Sequence, residues 1–88
     1  MIKVQLGQLV ITKNAMKTLK AMDVTKALSR FARGDWGDMD EEDKKSNDWA
    51  LKNGGRLFGA YHDQNGTKFW IITEADRSVT TVLLPEDY

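Results

Sequence analysis

The sequence predicts an α+β domain in which an antiparallel sheet of about four strands carries its helices on one face, in the order β-α-α-α-β-β-β. Three observations point there. An alternating apolar stretch opens the chain, apolar residues at helical spacing follow as far as Gly34, and three aromatic and β-branched runs divided by turn residues close it. At 88 residues there is room for one domain, 1–88, with one core. A composition of 41% apolar and 30% charged residues is that of a chain able to bury a core, unlike disordered sequences.

Ile2, Val4 and Leu6 alternate with Lys3 and Gln5, and Leu9 and Ile11 continue in the opposite phase. A strand over 2–11 with a bulge at Gly7 accounts for the flip, because one extra residue moves every later side chain to the other face. From Thr12 the period becomes helical through Ala15, Met16, Leu19 and Met22, with Thr12 or Asn14 available as N-cap. Asp23 to Lys26 reads as a fresh cap before Val24, Ala27, Leu28 and Phe31, and Gly34 as the stop. Two short helices or one kinked helix satisfy this pattern, and the Met and Leu stripe is assigned to the core.

A third helix is expected over 39–53, closed by Asn53-Gly54-Gly55, with Asp38 and Glu41 in a capping-box arrangement. Its only apolar residues are Met39, Trp49, Ala50 and Leu51, so it can bury little except near its C-terminal end. Leu57 to His62, Lys68 to Thr73 and Val79 to Leu84 form the meander. A two-residue Asn65-Gly66 loop would place Asp63 opposite Lys68, His62 opposite Phe69 and Tyr61 opposite Trp70. Across the second turn, Glu74 and Arg77 can pair.

Cysteine is absent, which excludes disulfides, thiolate catalysis and Cys-ligated zinc. The opening residues do not resemble a signal peptide and no apolar run approaches a membrane span, so the expected location is the cytoplasm. Net charge is zero but unevenly distributed. Lys3, Lys13, Lys17, Lys20, Lys26, Arg30 and Arg33 against Asp23 give residues 1–34 a charge of +6. Seven acids against Lys44 and Lys45 give residues 35–48 a charge of −5. Either the two regions neutralise each other within the fold, or the molecule presents an acidic face to a basic partner.

The acids concentrate in Gly34-Asp35-Trp36-Gly37-Asp38-Met39-Asp40-Glu41-Glu42-Asp43. Trp36 is expected either to fold back as a plug over the core or to stand exposed as a contact anchor. With Asp35, Asp38, Asp40, Glu41, Glu42 and Asp43 it makes the candidate partner-binding set. An EF-hand needs glycine at its sixth position, but counting from Asp35 gives Asp40 and counting from Asp38 gives Asp43. No metal or cofactor is therefore expected. His62, the single histidine, points away from its neighbour Asp63, and a catalytic arrangement would need Glu74, Asp76 or Ser78 brought to it. No catalytic residue is assigned, and no phosphate-binding, hydrolase or zinc-protease motif occurs. A neutral domain with an acidic cluster is also poorly suited to binding nucleic acid directly.

Gly34-Asp35-Trp36-Gly37-Asp38, the run from Gly66 to Ser78 and the ending Leu83 to Tyr88 resemble motifs of a family of small prokaryotic proteins carried on plasmids and other mobile elements. No activity or catalytic residue comes with that resemblance. What it implies is a setting in which small single-domain proteins often inhibit host defence nucleases. The expected function is accordingly a non-enzymatic anti-CRISPR or anti-restriction inhibitor, whose acidic surface blocks the nucleic-acid-binding site of a host nuclease complex. Two alternatives are a small ribonuclease-type toxin using His62 and Arg77, and a regulatory or scaffolding module that dimerises through an open sheet edge.

Overall fold

The expected α+β order is the observed one. The computed structural model describes residues 2–88. Its elements run β1 (Gln8–Ile11), α1 (Lys13–Thr18), α2 (Ala21–Ala32), α3 (Glu41–Asn53), β2 (Leu57–His62), β3 (Lys68–Thr73), β4 (Val79–Leu83) and a closing 3-10 turn, Pro85–Asp87. They build one four-stranded sheet in the order β1-β4-β3-β2.

β2, β3 and β4 form the antiparallel meander, whereas β1 lies parallel to β4. A parallel neighbour needs a long crossover. Here all three helices and two strands intervene between β1 and β4, which makes that pairing possible. Strand pairing begins only at Gln8, not near residue 2. Gly7 stands at φ +64°, and a Cβ there would lie 2.4 Å from the Ser78 carbonyl oxygen. The phase flip therefore marks the turn by which the chain enters the sheet rather than a bulge within a strand. Before it, the Lys3 and Val4 amides donate to the Ala32 carbonyl at 2.7 and 3.1 Å, satisfying an acceptor at the end of α2.

α1 and α2 are separate helices. Thr12 caps the first, its hydroxyl accepting from the Ala15 amide. The second starts at Ala21, so Asp23 lies within its first turn instead of capping it, where its charge still complements the helix dipole. Ala15, Leu19, Ala27 and Phe31 pack against Leu57, Tyr61, Phe69, Ile71 and Val82 of the sheet. Met16 and Met22, expected in the core, are instead 63% and 65% exposed. On the opposite sheet face Phe58, Trp70 and Tyr88 form a row, with ring centroids 4.9 and 5.9 Å apart.

The β2–β3 register is one residue away from the expected one. His62 faces Lys68, Tyr61 faces Phe69 and Ala60 faces Trp70. The loop holds three residues, 64–66: the Gly66 amide donates to the Asp63 carbonyl and Gly66 takes φ +84°. This is the three-residue hairpin that ends in a left-handed glycine. The buried Asp63 carboxylate fixes it by accepting from the Asn65 and Thr67 amides at 2.9 and 2.7 Å.

At the other turn, Glu74 and Arg77 do not pair through their side chains. Glu74 lies 3.3 Å from Arg56. Arg77, at φ +62°, donates instead to the carbonyls of Ala50, Gly55, Glu74 and Ala75. Its guanidinium thereby ties the C-terminal end of α3 to the β3–β4 turn.

Candidate functional site

The seven residues expected to share one contact surface divide into two groups. The first is the loop from Gly34 to Asp38. Gly34, at φ +84°, ends α2, and its amide donates to the Phe31 carbonyl. The chain then runs beside β2: the Ala60 amide donates to the Trp36 carbonyl at 3.0 Å, and the Asp38 amide donates to the Ala60 carbonyl at 2.7 Å. Gly37 sits between those bonds at φ +82°, where a Cβ would come within 2.0 Å of the Ala60 oxygen. Only glycine fits this approach.

Trp36 is the plug. It is 2% exposed, meets the Phe31 ring edge-on at 5.3 Å, and donates its indole N–H to the Asp48 carboxylate at 2.9 Å. That burial removes it from the contact surface. Asp35 accepts from Arg30 Nε at 2.8 Å and from the Gly37 amide at 3.0 Å. The Arg30 hydrogen bond, more than any other influence, holds the Asp35 carboxyl below the usual carboxylate range. Arg30 also lies 5.1 Å from the centre of the Tyr61 ring, and the Tyr61 hydroxyl donates to the Asp35 carbonyl at 2.6 Å. Burial, reinforced by the Asp35 charge, pushes that hydroxyl well above the ordinary tyrosine range.

Asp38 was expected to cap the third helix but does something else. Its Oδ2 lies 2.6 Å from His62 Nδ1. A carboxylate has no proton to give, so Nδ1 carries the hydrogen and, in the neutral ring, Nε2 remains the acceptor. Of the residues a catalytic His62 would need beside it, Asp76 is held by Ser78, which donates to it from both amide and hydroxyl.

The second group is the first turn of α3. Asp40 is the N-cap, accepting from the Asp43 amide at 2.8 Å, and the helix begins at Glu41 rather than 39. Asp40, Glu41, Glu42 and Asp43 are all exposed. Lys44 lies 3.9 Å from Glu41, while the Glu42 and Asp43 carboxylates have no ion-pair or hydrogen-bond partner among the described residues. Charges at this helix end are stabilised by the dipole without a cation.

α3 is fastened by its other face. Asn47, 5% exposed, donates to the Phe58 carbonyl at 2.7 Å and accepts from the Phe58 amide at 3.0 Å. Together with Trp36 and Asp38 on Ala60, these bonds close the outer edge of β2. The opposite face carries Trp49, 65% exposed and two turns beyond Glu42. Trp49 is one of the few apolar residues expected to bury the C-terminal end of this helix. Its offset of two positions from Asn47 puts it on the outside.

Among the described residues no group of three or more His, Asp or Glu is placed to hold a metal ion. No helix among them is long and apolar enough to cross a membrane. Arg30–Asp35 is the one ion pair between the two charged regions among the described residues. Comparison with protein-family models, with curated proteins and with solved structures gives no match.

Proposed function

We propose that the chain is a non-enzymatic protein-binding inhibitor of the anti-CRISPR or anti-restriction kind, acting in the cytoplasm. Its α3 N-terminus occupies a basic nucleic-acid-binding surface on a host nuclease complex. One observation carries this reading: Asp40, Glu41, Glu42 and Asp43 are exposed and almost unneutralised at a helix end, on the same helix as the exposed Trp49. Carboxylates there take the place of phosphates, and association is fast and salt-dependent. Trp49 supplies the apolar anchor of the contact, since tryptophan is enriched among residues that dominate binding energy.

The test is recovery of partners from host lysate by the wild type and by an Asp40→Asn, Glu41→Gln, Glu42→Gln, Asp43→Asn variant. Asn preserves the cap. The wild type should recover components of a nuclease complex that the variant does not. Recovery of the same partners by both, or of none by either, overturns the reading.

The ribonuclease alternative is favoured by one contact, Asp38 orienting His62. Against it, Arg77 is committed to four backbone carbonyls and follows the Thr73 end of β3, while His62 pairs with Lys68 at the other end. Toxicity on expression that disappears in His62→Ala would support that alternative.

A further inference from the structure

β1 is the open edge of the sheet. Its Gln8 and Thr12 amides donate to the Ser78 and Val82 carbonyls, so the alternate residues Leu9 and Ile11 direct their amides and carbonyls away from β4. The contrast with β2 is direct, because a loop and the Asn47 side chain cover that edge. Beside β1 lies an apolar groove of roughly 210 Å³, lined by Ile11, Met16, Leu19, Ala21, Val24 and Thr25. Ile11 belongs to both features. Apolar side chains also stand exposed around them: Leu9 is 54%, Val10 41%, Met16 63% and Met22 65% exposed.

Charge selects the occupant. Lys13, Lys17 and Lys20, interleaved in the chain with the residues that line the groove, and Lys26, directly after them, are exposed and form no ion pair among the described residues. The acids nearest in the fold are mostly held by other groups: Asp76, at the Gln8 end of β1, accepts from Ser78. Asp23 accepts from Gln64, and Asp87 is held by Thr12 and Asn14 at 2.6 and 2.7 Å. The segment that lines the groove, residues 11–25, carries Lys13, Lys17 and Lys20 against Asp23 alone. A second copy would bring its own Lys13, Lys17 and Lys20 to the same edge, and like charges oppose that pairing.

We propose that β1 and its groove bind an extended segment of a partner protein, apolar at its centre and flanked by acidic residues, which adds to the sheet as a fifth strand. Leu9 and Ile11 supply the backbone hydrogen bonds, the groove takes the partner's apolar side chains, and the lysines meet its flanking carboxylates. This surface is distinct from the acidic turn of α3 and takes a partner of opposite charge.

The test uses the isotope-labelled full chain and a synthetic peptide, Glu-Glu-Ile-Thr-Leu-Thr-Glu-Glu. Its counterpart with lysine at every glutamate position serves as control. The acidic peptide should shift the amide signals of Leu9, Ile11, Met16, Leu19 and Val24 and slow hydrogen exchange at Leu9 and Ile11. The basic peptide should bind at least about tenfold more weakly, and a Lys13→Glu, Lys17→Glu, Lys20→Glu variant should reverse the preference. Absence of shifts, equal binding of both peptides, or shifts confined to other surfaces overturns the proposal. So does protection of Leu9 and Ile11 that grows with protein concentration without peptide, which would assign the edge to a second copy.

Discussion

The loop from Gly34 to Asp38 and the first turn of α3 are neighbours in the chain and alike in composition, but the fold uses them in opposite ways. In the loop, Asp35 is bonded to Arg30 and Gly37, Asp38 to His62, and the buried Trp36 to Asp48. In the turn, Asp40 caps the helix and the three acids after it carry little structural duty. Density of charge therefore says little about function by itself. Apart from the capping Asp40, what separates the two regions is whether each carboxylate has a hydrogen-bond donor that the fold supplies.

That contrast can be broken or sharpened by substitution, first in the loop and its supports. Trp36→Ala removes a buried aromatic and its bond to Asp48, and should cost about 3–5 kcal/mol in chemical denaturation. Asn47→Ala leaves the Phe58 amide and carbonyl without their partner and loosens α3, at a cost of about 2–3 kcal/mol. Gly37→Ala adds a Cβ against the Ala60 carbonyl at a left-handed backbone position, and about 1–3 kcal/mol is expected. If Trp36→Ala left stability unchanged, its role as plug would be wrong.

Acid titration probes the loop, together with the closing 3-10 turn, more gently. Hydrogen bonds from Arg30 to Asp35, and from Thr12 and then Asn14 to Asp87, hold both carboxyls below their ordinary value of 3.8. A carboxyl depressed in the folded state stabilises the fold above its unfolded value, and the stabilisation disappears as pH falls through the folded one. Melting temperature should therefore be insensitive to these groups near neutrality and decline below about pH 4. An Asp35→Asn, Asp87→Asn variant should show a shallower decline.

In the turn, the smallest effects on stability are expected. Trp49→Ala should change folding free energy by no more than about 0.5 kcal/mol, as an exposed substitution does. The same variant should lose about 2 kcal/mol of partner affinity if Trp49 anchors the contact. The opposite behaviour of two tryptophans thirteen positions apart, 36 and 49, would sharpen the contrast most.

Much of what local chemistry determines was legible, though not the caps assigned to Asp23 and Asp38. The aromatic runs, the helix stops at Gly34 and Gly54 and the Thr12 cap all appear in the molecule. Register was not, because Asn65-Gly66 suits both a two-residue and a three-residue loop, and only Asp63 binding the Asn65 and Thr67 amides decides between them. The parallel placement of β1 depends on a partner some seventy residues away. At the site, the acidic residues were visible but their division was not. Asp38 and His62 meet across 24 positions and Asn47 and Phe58 across 11, contacts that no periodicity announces. The first contact takes up Asp38, and Arg30 takes up Asp35, which leaves the acids of the α3 turn for a partner.

The most direct measurement is quantitative partner recovery at low and at high salt by the wild type and by the Asp40→Asn, Glu41→Gln, Glu42→Gln, Asp43→Asn variant, after denaturation curves have shown both to be folded. Recovery of a nuclease component by the wild type at low salt, fading as salt rises and absent for the variant at both, is the expected result. Equal recovery by the two proteins would contradict the assignment of the α3 turn as the contact surface.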